Sequence, residues 1–351
     1  MNRKGFSKRL RNLGVPADVA KEISLKWQKQ LECRGPEGAC DFLKRVGDTL
    51  IWNLTGSGEK PDWVKVSKTG FPSFLDGCQG LPTEVLVRIA KMARAIVLDK
   101  PSDRQIGKVL PAVVTPFTGD PGTVQLVSKK LEGLARGLFS GDLRDFYEPK
   151  FPLLLQQWRR VQSVSGKTQV TTEPPLVESL SVLKRSDVMA IVKGIPKWDQ
   201  IFYPITPKSL DQLIRRTPVQ LGGSVGEIHA NQEGGCKLRM FAAPLTLYQT
   251  LLTPLHEYCS GVRKRLGTDC TYDQESGALF AKAALQEGKV VHSVDLSTAT
   301  CRFPLEPQLA VLKGLHVPQV YIDLFLHVCR GHWSVDESLQ PYFEAETISW
   351  A

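Results

Sequence analysis

The chain has 351 residues, a hydrophobic fraction of 42% and a formal charge of +9 from 45 lysines and arginines against 36 acids. That length supports one large or two ordinary folded domains, and no apolar run approaches the ~18 residues needed to cross a bilayer, so no membrane insertion is expected. The eight cysteines (Cys33, Cys40, Cys78, Cys236, Cys259, Cys270, Cys301 and Cys329) form no C-x-x-C pair and have no histidine at zinc spacing. They read as reduced thiols, not as a disulfide framework or a zinc module.

The first fourteen residues are basic and free of acids, which fits a solvated terminus, a mitochondrial address or an arm for a polyanion. Residues 18–32 place Val19, Ile23 and Trp27 on one helical face, and residues 82–98 do the same with Val85, Ile89 and Met92. Both stripes are expected to be core. Residues 55–80 are rich in Gly, Pro and Ser and read as loop, and residues 110–122 carry three prolines. The polar run VQSVSGKTQVTTEPP at 161–175 is the best linker candidate. After it, short β-prone runs at 219–228 and 290–294 alternate with helical stretches, the texture of an α+β arrangement.

Residues 222–249 read GGSVGEIHANQEGGCKLRMFAAPLTLYQ. In an extended segment Lys237 and Arg239 share one side, and two cations on one wall suit a triphosphate: Arg grips phosphate oxygens bidentately, while Lys supplies a mobile point charge. A solvated basic strand is the alternative. The helix expected from Pro244 onward spaces Leu247, Leu251 and Leu255 for core packing. The run VVHSVDLSTATCRFP at 290–304 begins as a buried-looking strand and delivers Asp295 at its end among the small residues Ser297, Thr298 and Thr300. Such a carboxylate suits a hard cation such as Mg²⁺, with a turn-capping aspartate as the alternative. His327 and His332 are off helical same-face spacing and have no third ligand near in sequence, so they read as surface or core histidines.

Three of these segments occur in the order found in the RNA-directed RNA polymerases of the narnavirus, ourmiavirus and mitovirus group. GGCKLRMFAAP resembles motif F, GTDCTYDQESGA the family segment that follows, and SVDLSTATCRFP motif A, so that the resemblance covers roughly residues 215–350. It implies that Lys237 and Arg239 contact the phosphates of the incoming nucleotide. Asp295 is then the catalytic and metal-binding carboxylate of a two-ion Mg²⁺ site, with Mn²⁺ as an alternative ion. Thr271 and Gln274 have the form of a capping box and read as structural, with Asp273 an alternative lining of the template path. Cys301 stands where the family has a second aspartate near the ribose, and a thiol is a poor acceptor for the 2′-hydroxyl.

No Gly-Asp-Asp occurs in the chain, which stops where motif B would begin. One aspartate cannot compensate two magnesium ions, so the chain is expected to be inactive alone. A polymerase divided between two polypeptides is the favoured explanation, a truncated chain or incomplete reading frame the others. The partners implied are RNA template, nucleotides and a second protein carrying the Gly-Asp-Asp part of the palm. The aromatic tail at 317–350 is a candidate interface for that protein or, equally, core of a helical pair. The fold expected is a right-hand polymerase of the α+β class with a helix-rich N-terminal and fingers region and an incomplete palm sheet. It divides into a helix-rich region at 1–160, the linker at 161–175, fingers at 176–289 and the first part of the palm at 290–351. The host cytoplasm is the expected location and the mitochondrion the alternative. A non-catalytic viral RNA-binding protein is the competing function.

Overall fold

The computed structural model describes residues 2–56, 63–115, 117–139, 141–154, 160–162, 168–170, 175–218, 223–292, 294, 303–337, 339–343 and 347–349. It falls into two compact units, one formed by Met1–Val109 with Ala230–Met240 and the other by Leu110–His229 with Phe241–Ala351. Asp295 and Cys301 lie outside the described residues.

The first unit is built on α1 (Arg3–Asn12) and α2 (Ala17–Thr55). Asn2 caps α1 by accepting from Gly5 N–H at 3.0 Å, and Phe6 stacks on Trp27 with ring centroids 4.8 Å apart. Of the expected stripe, Ile23 and Trp27 are fully buried and Val19 is partly buried against the same core. The helix does not stop at residue 32. It kinks at Gly35, which takes φ +66° ahead of Pro36, because proline has no N–H to give and disfavours helical geometry in the residue before it. Beyond the kink Cys40, Leu43, Val46 and Leu50 return to the core. The second expected helix is shorter than 82–98: α3 (Thr83–Ala90) passes into a 3₁₀ turn at Lys91–Ala95, with Ile89 and Met92 buried and Val85 partly so. Helical geometry ends because Ile96 is extended, and its carbonyl accepts from the N–H groups of both Gly235 and Cys236. α4 (Asp103–Val114) begins in this unit and carries Pro111 within it, in the part that belongs to the second.

In the second unit, Asp120 caps α5 (Pro121–Leu138) by accepting from Thr123 N–H at 2.7 Å. Then come α6 (Arg144–Tyr147), β1 (Arg160–Gln162), β2 (Thr168–Val170), α7 (Pro175–Leu183), α8 (Ser186–Val192) and α9 (Pro207–Arg216). β1 and β2 form an antiparallel ladder that starts at Arg160 and runs into the stretch read as a linker. β3 (Gly226–Glu233) and β4 (Lys237–Pro244) divide between the two units at Ala230 and Phe241, and the remaining elements of the second unit are α10 (Thr246–Leu251), α11 (Thr253–Lys264), α12 (Gln274–Gln286), α13 (Leu305–Gly314), α14 (Gln319–Arg330), β5 (His332–Val335) and β6 (Thr347–Ser349). Leu247, Leu251 and Leu255 are buried, as their spacing predicts. The Phe146 ring lies 5.0 Å from Tyr258 and 4.8 Å from Tyr321, whose hydroxyl donates to Phe146 C=O. The four-stranded sheet has the order β4-β3-β5-β6, with β3 parallel to β5 and β5 antiparallel to β6. At the start of β3, Gly226 leaves room for the Trp333 ring and the Ala243 carbonyl, each of which would lie within 2.5 Å of a Cβ.

Three local expectations change. The strand expected at 219–228 runs instead from Gly226 to Glu233, with 219–222 outside the described residues. The run at 290–294 is no buried strand over its described part: Val290 is 80% exposed and Val294 78%. A β-branched run becomes a strand only where a neighbour takes its backbone groups, and none of the described strands pairs with it. The α12 cap is Asp273, not Thr271. Asp273 accepts from both the N–H and the hydroxyl of Ser276, at 3.0 and 2.7 Å, and these bonds hold its carboxyl below the usual carboxylate range. Aspartate outranks threonine at this position, and Thr271 turns to Asp269 instead. In the aromatic tail, Tyr321, Leu324, Val328 and Trp333 are core, while Trp350 lies outside the described residues. Among the described residues, no helix is long and apolar enough to cross a membrane.

Candidate functional site

The turn between β3 and β4 sits within the first unit and is fixed by backbone contacts. Gly235 and Cys236 both donate to Ile96 C=O, at 2.8 and 2.9 Å. Gly234 passes so close to Arg94 that a Cβ would lie 1.9 Å from its carbonyl oxygen, so only glycine fits.

A buried glutamine completes the anchorage. Ser102 and Gln105 form a reciprocal capping box at the start of α4: Gln105 N–H donates to Ser102 Oγ at 3.1 Å, and Ser102 N–H donates to Gln105 Oε1 at 3.0 Å. The cap orients the amide, whose Nε2 donates to Cys236 C=O at 2.8 Å and to Gln232 Oε1 at 3.0 Å, while Gln232 Nε2 returns a bond of 2.9 Å to Gln105 Oε1. Both donors and the acceptor oxygen of this side chain are therefore used. Beside it, hydrogen bonding with Cys40 and burial push the Cys236 thiol well above the ordinary thiol value, so both sulfurs belong to the packed interior. Replacing Gln105 with leucine leaves the buried Cys236 C=O and the half-buried Gln232 amide without this partner. The expected cost is about 2 kcal/mol, or roughly thirty-fold faster amide exchange across 232–240. Exchange in that segment at the parental rate would refute the anchoring role.

The anchored turn presents the two cations predicted from sequence. Along β4, Lys237 and Arg239 are exposed and Leu238 and Met240 buried, so both cations do share one face. Their surroundings differ. Arg239 Nε lies 2.8 Å from Glu233 Oε1. Lys237 lines a cavity of about 650 Å³ together with Lys44, Lys91, Arg94 and Lys108, facing the carboxylates Glu37, Asp41 and Asp48.

Those carboxylates do not cancel the cations evenly. Arg104 reaches Asp41 at 2.8 Å and Glu37 at 3.8 Å, and Ser102 donates to Glu37 at 2.9 Å. Lys44 stands 3.6 Å from Asp41. Among the described residues, Lys91, Arg94, Lys108 and Lys237 make no ion pair. Five cations against three carboxylates, two of which are already engaged with Arg104 or Lys44, give the cavity the chemistry of an anion site. Lys91, Arg94, Lys108 and Gln105 were not singled out from sequence, since only the folded hairpin brings residues 91–108 beside 237. His327 is half-buried, with Nε2 3.1 Å from the Tyr248 hydroxyl, and burial holds its imidazole below the ordinary histidine value. His332 is exposed.

Residues 165–320 match the family described as Mitovirus RNA-dependent RNA polymerase, a stretch that contains Lys237, Arg239 and Asp295. No curated protein and no solved structure matches the chain. Members of that family are nucleotidyltransferases that handle RNA and nucleotides and use divalent metal. Over residues 165–320, therefore, the chain is similar to the mitovirus RNA-directed RNA polymerases.

Proposed function

We propose that the chain is the N-terminal half or subunit of a viral RNA-directed RNA polymerase, supplying fingers and the first part of a right-hand palm, with motifs B and C supplied by another chain. The observation that carries this reading is the placement of Lys237. It sits on the exposed face of β4, beside four other cations around one cavity, inside the stretch that matches the polymerase family. Fixed cations there meet the triphosphate and offset the charge that builds as pyrophosphate leaves. Arg239 contributes a second contact once it exchanges Glu233 for phosphate.

Asp295 is the carboxylate this chain gives to the Mg²⁺ site, where the bound ions would activate the attacking hydroxyl and clamp the triphosphate. Cys301 occupies the ribose-proximal position without the acceptor strength of a carboxylate, so the 2′-hydroxyl is recognised by other groups. In this reading 1–160 is the N-terminal region, 161–175 a connector, 176–289 fingers and 290–351 palm. Replication takes place in the host cytoplasm or mitochondrion.

Support for a partner comes from apolar surface in the second unit. α12 buries none of its residues, and Phe280 is 80% exposed. Val290 and Val294, a few residues before Asp295 in sequence, are exposed as well. A polypeptide completing the palm sheet would cover such groups.

The test is co-expression with proteins carrying Gly-Asp-Asp, followed by co-purification and an RNA synthesis assay. The expected result is synthesis by one such pair and none by the single chain, which still binds RNA with steep salt dependence. Robust synthesis by the single chain would overturn the division. Salt-dependent binding without synthesis by any pair would leave a non-catalytic RNA-binding protein.

A further inference from the structure

We propose that Glu227, His229 and Asp336 form a site for a divalent transition metal ion, zinc or manganese, that clips β3 to the end of β5. All three belong to the second unit, and none takes part in the nucleotide chemistry proposed above. Glu227 and His229 are two apart on β3 and so share a face of that strand. Asp336 follows β5 directly, and its N–H donates to Ile228 C=O at 3.0 Å, which holds it against the same strand. Each residue can present one donor atom such that all three lie within 4.8 Å of one another.

The charge pattern points to a cation. His229 Nδ1 is 3.3 Å from an Asp336 oxygen, and Nε2 is 3.4 Å from a Glu227 oxygen. A neutral imidazole has one N–H, so with both nitrogens facing carboxylates one oxygen is set against a nitrogen lone pair. A metal ion taken by one ring nitrogen, with the N–H left on the other, resolves that contact.

The side chains are a third to a half exposed, at 44% for Glu227, 33% for His229 and 34% for Asp336, so an ion can enter from solvent. The Phe241 ring, 5.6 Å from that of His229, limits the imidazole's freedom on one side. One imidazole with two carboxylates suits Zn²⁺ or Mn²⁺, whereas Mg²⁺ prefers oxygen ligands and retains its water. Bound there, the ion would fix the parallel register in which Ile228 faces Val335.

The experiment loads the full chain with Zn²⁺, Mn²⁺ or Mg²⁺ and measures bound metal by elemental analysis after dialysis, together with the melting midpoint. Co²⁺ loading supplies a spectroscopic readout that separates nitrogen and oxygen ligands from the thiolates of the chain's cysteines. One Zn²⁺ or Mn²⁺ per chain is expected, with a midpoint raised by a few degrees, no comparable effect from Mg²⁺, and cobalt absorption lacking an intense thiolate charge-transfer band. His229→Gln and the more exposed Glu227→Gln, each checked for native circular dichroism, should weaken uptake by about tenfold or more. Equal uptake and equal midpoint gain in the parent and both variants would overturn the site. So would thiolate-type cobalt spectra or the absence of any bound ion.

Discussion

Asp295→Ala is expected to lower RNA synthesis by the reconstituted pair by about a thousand-fold or more while RNA affinity changes by less than about two-fold, because a metal ligand acts on the reacting phosphoryl group and not on the bound backbone. The segment carrying it lies within 165–320, the stretch matched by the polymerase family. Replacing the carboxylate with a methyl group takes a formal negative charge from the proposed two-ion site. The ions then bind weakly or out of line, and the barrier rises where charge develops. RNA affinity, by contrast, comes from lysines and arginines distributed over a chain of net charge +9. The two measurements separate the proposed roles: nucleotide incorporation reports the metal-site role, and filter binding at several salt concentrations reports RNA affinity. Incorporation by the variant pair at the parental rate would remove Asp295 from the metal site and leave the RNA-binding reading standing.

The legible features were those fixed by local periodicity. Alternation in KLRM put Lys237 and Arg239 on the exposed face of β4, and helical spacing put Ile23 with Trp27 and Leu247 with Leu251 into cores. What escaped depends on partners distant in sequence. Ser102-x-x-Gln105 is a recognisable capping pattern, yet nothing near it reveals that the same amide will hold Cys236, 131 residues away. Asp336 meets His229 only because β5 pairs with β3 in parallel, across 107 residues. The run at 290–294 failed in the opposite direction, since its composition favours a strand but pairing is decided by neighbours. At α12 two capping signals competed two residues apart, and the stronger acceptor, Asp273, fixed the helix start.

The same contrast between shared face and separate surroundings makes the second large effect asymmetric. Lys237→Ala combined with Arg239→Ala should reduce kcat/KM for nucleotides by about a hundred-fold, since two charge-assisted phosphate contacts are lost in a site of lowered dielectric. The single variants should not share this loss equally. Lys237 lines the cationic cavity and makes no ion pair among the described residues, so its ammonium is available to phosphate without leaving another partner. Arg239 must first give up Glu233, and that exchange diminishes its net contribution. Lys237→Ala should therefore account for most of the double variant's loss, while Glu233→Gln should tighten nucleotide binding slightly by freeing the guanidinium. Steady-state kinetics on the pair across nucleotide concentrations reads all four variants. A larger loss from Arg239→Ala than from Lys237→Ala would move the triphosphate away from the cavity bounded by Lys91, Arg94 and Lys108, and unchanged kinetics in the double variant would return β4 to an ordinary solvated strand.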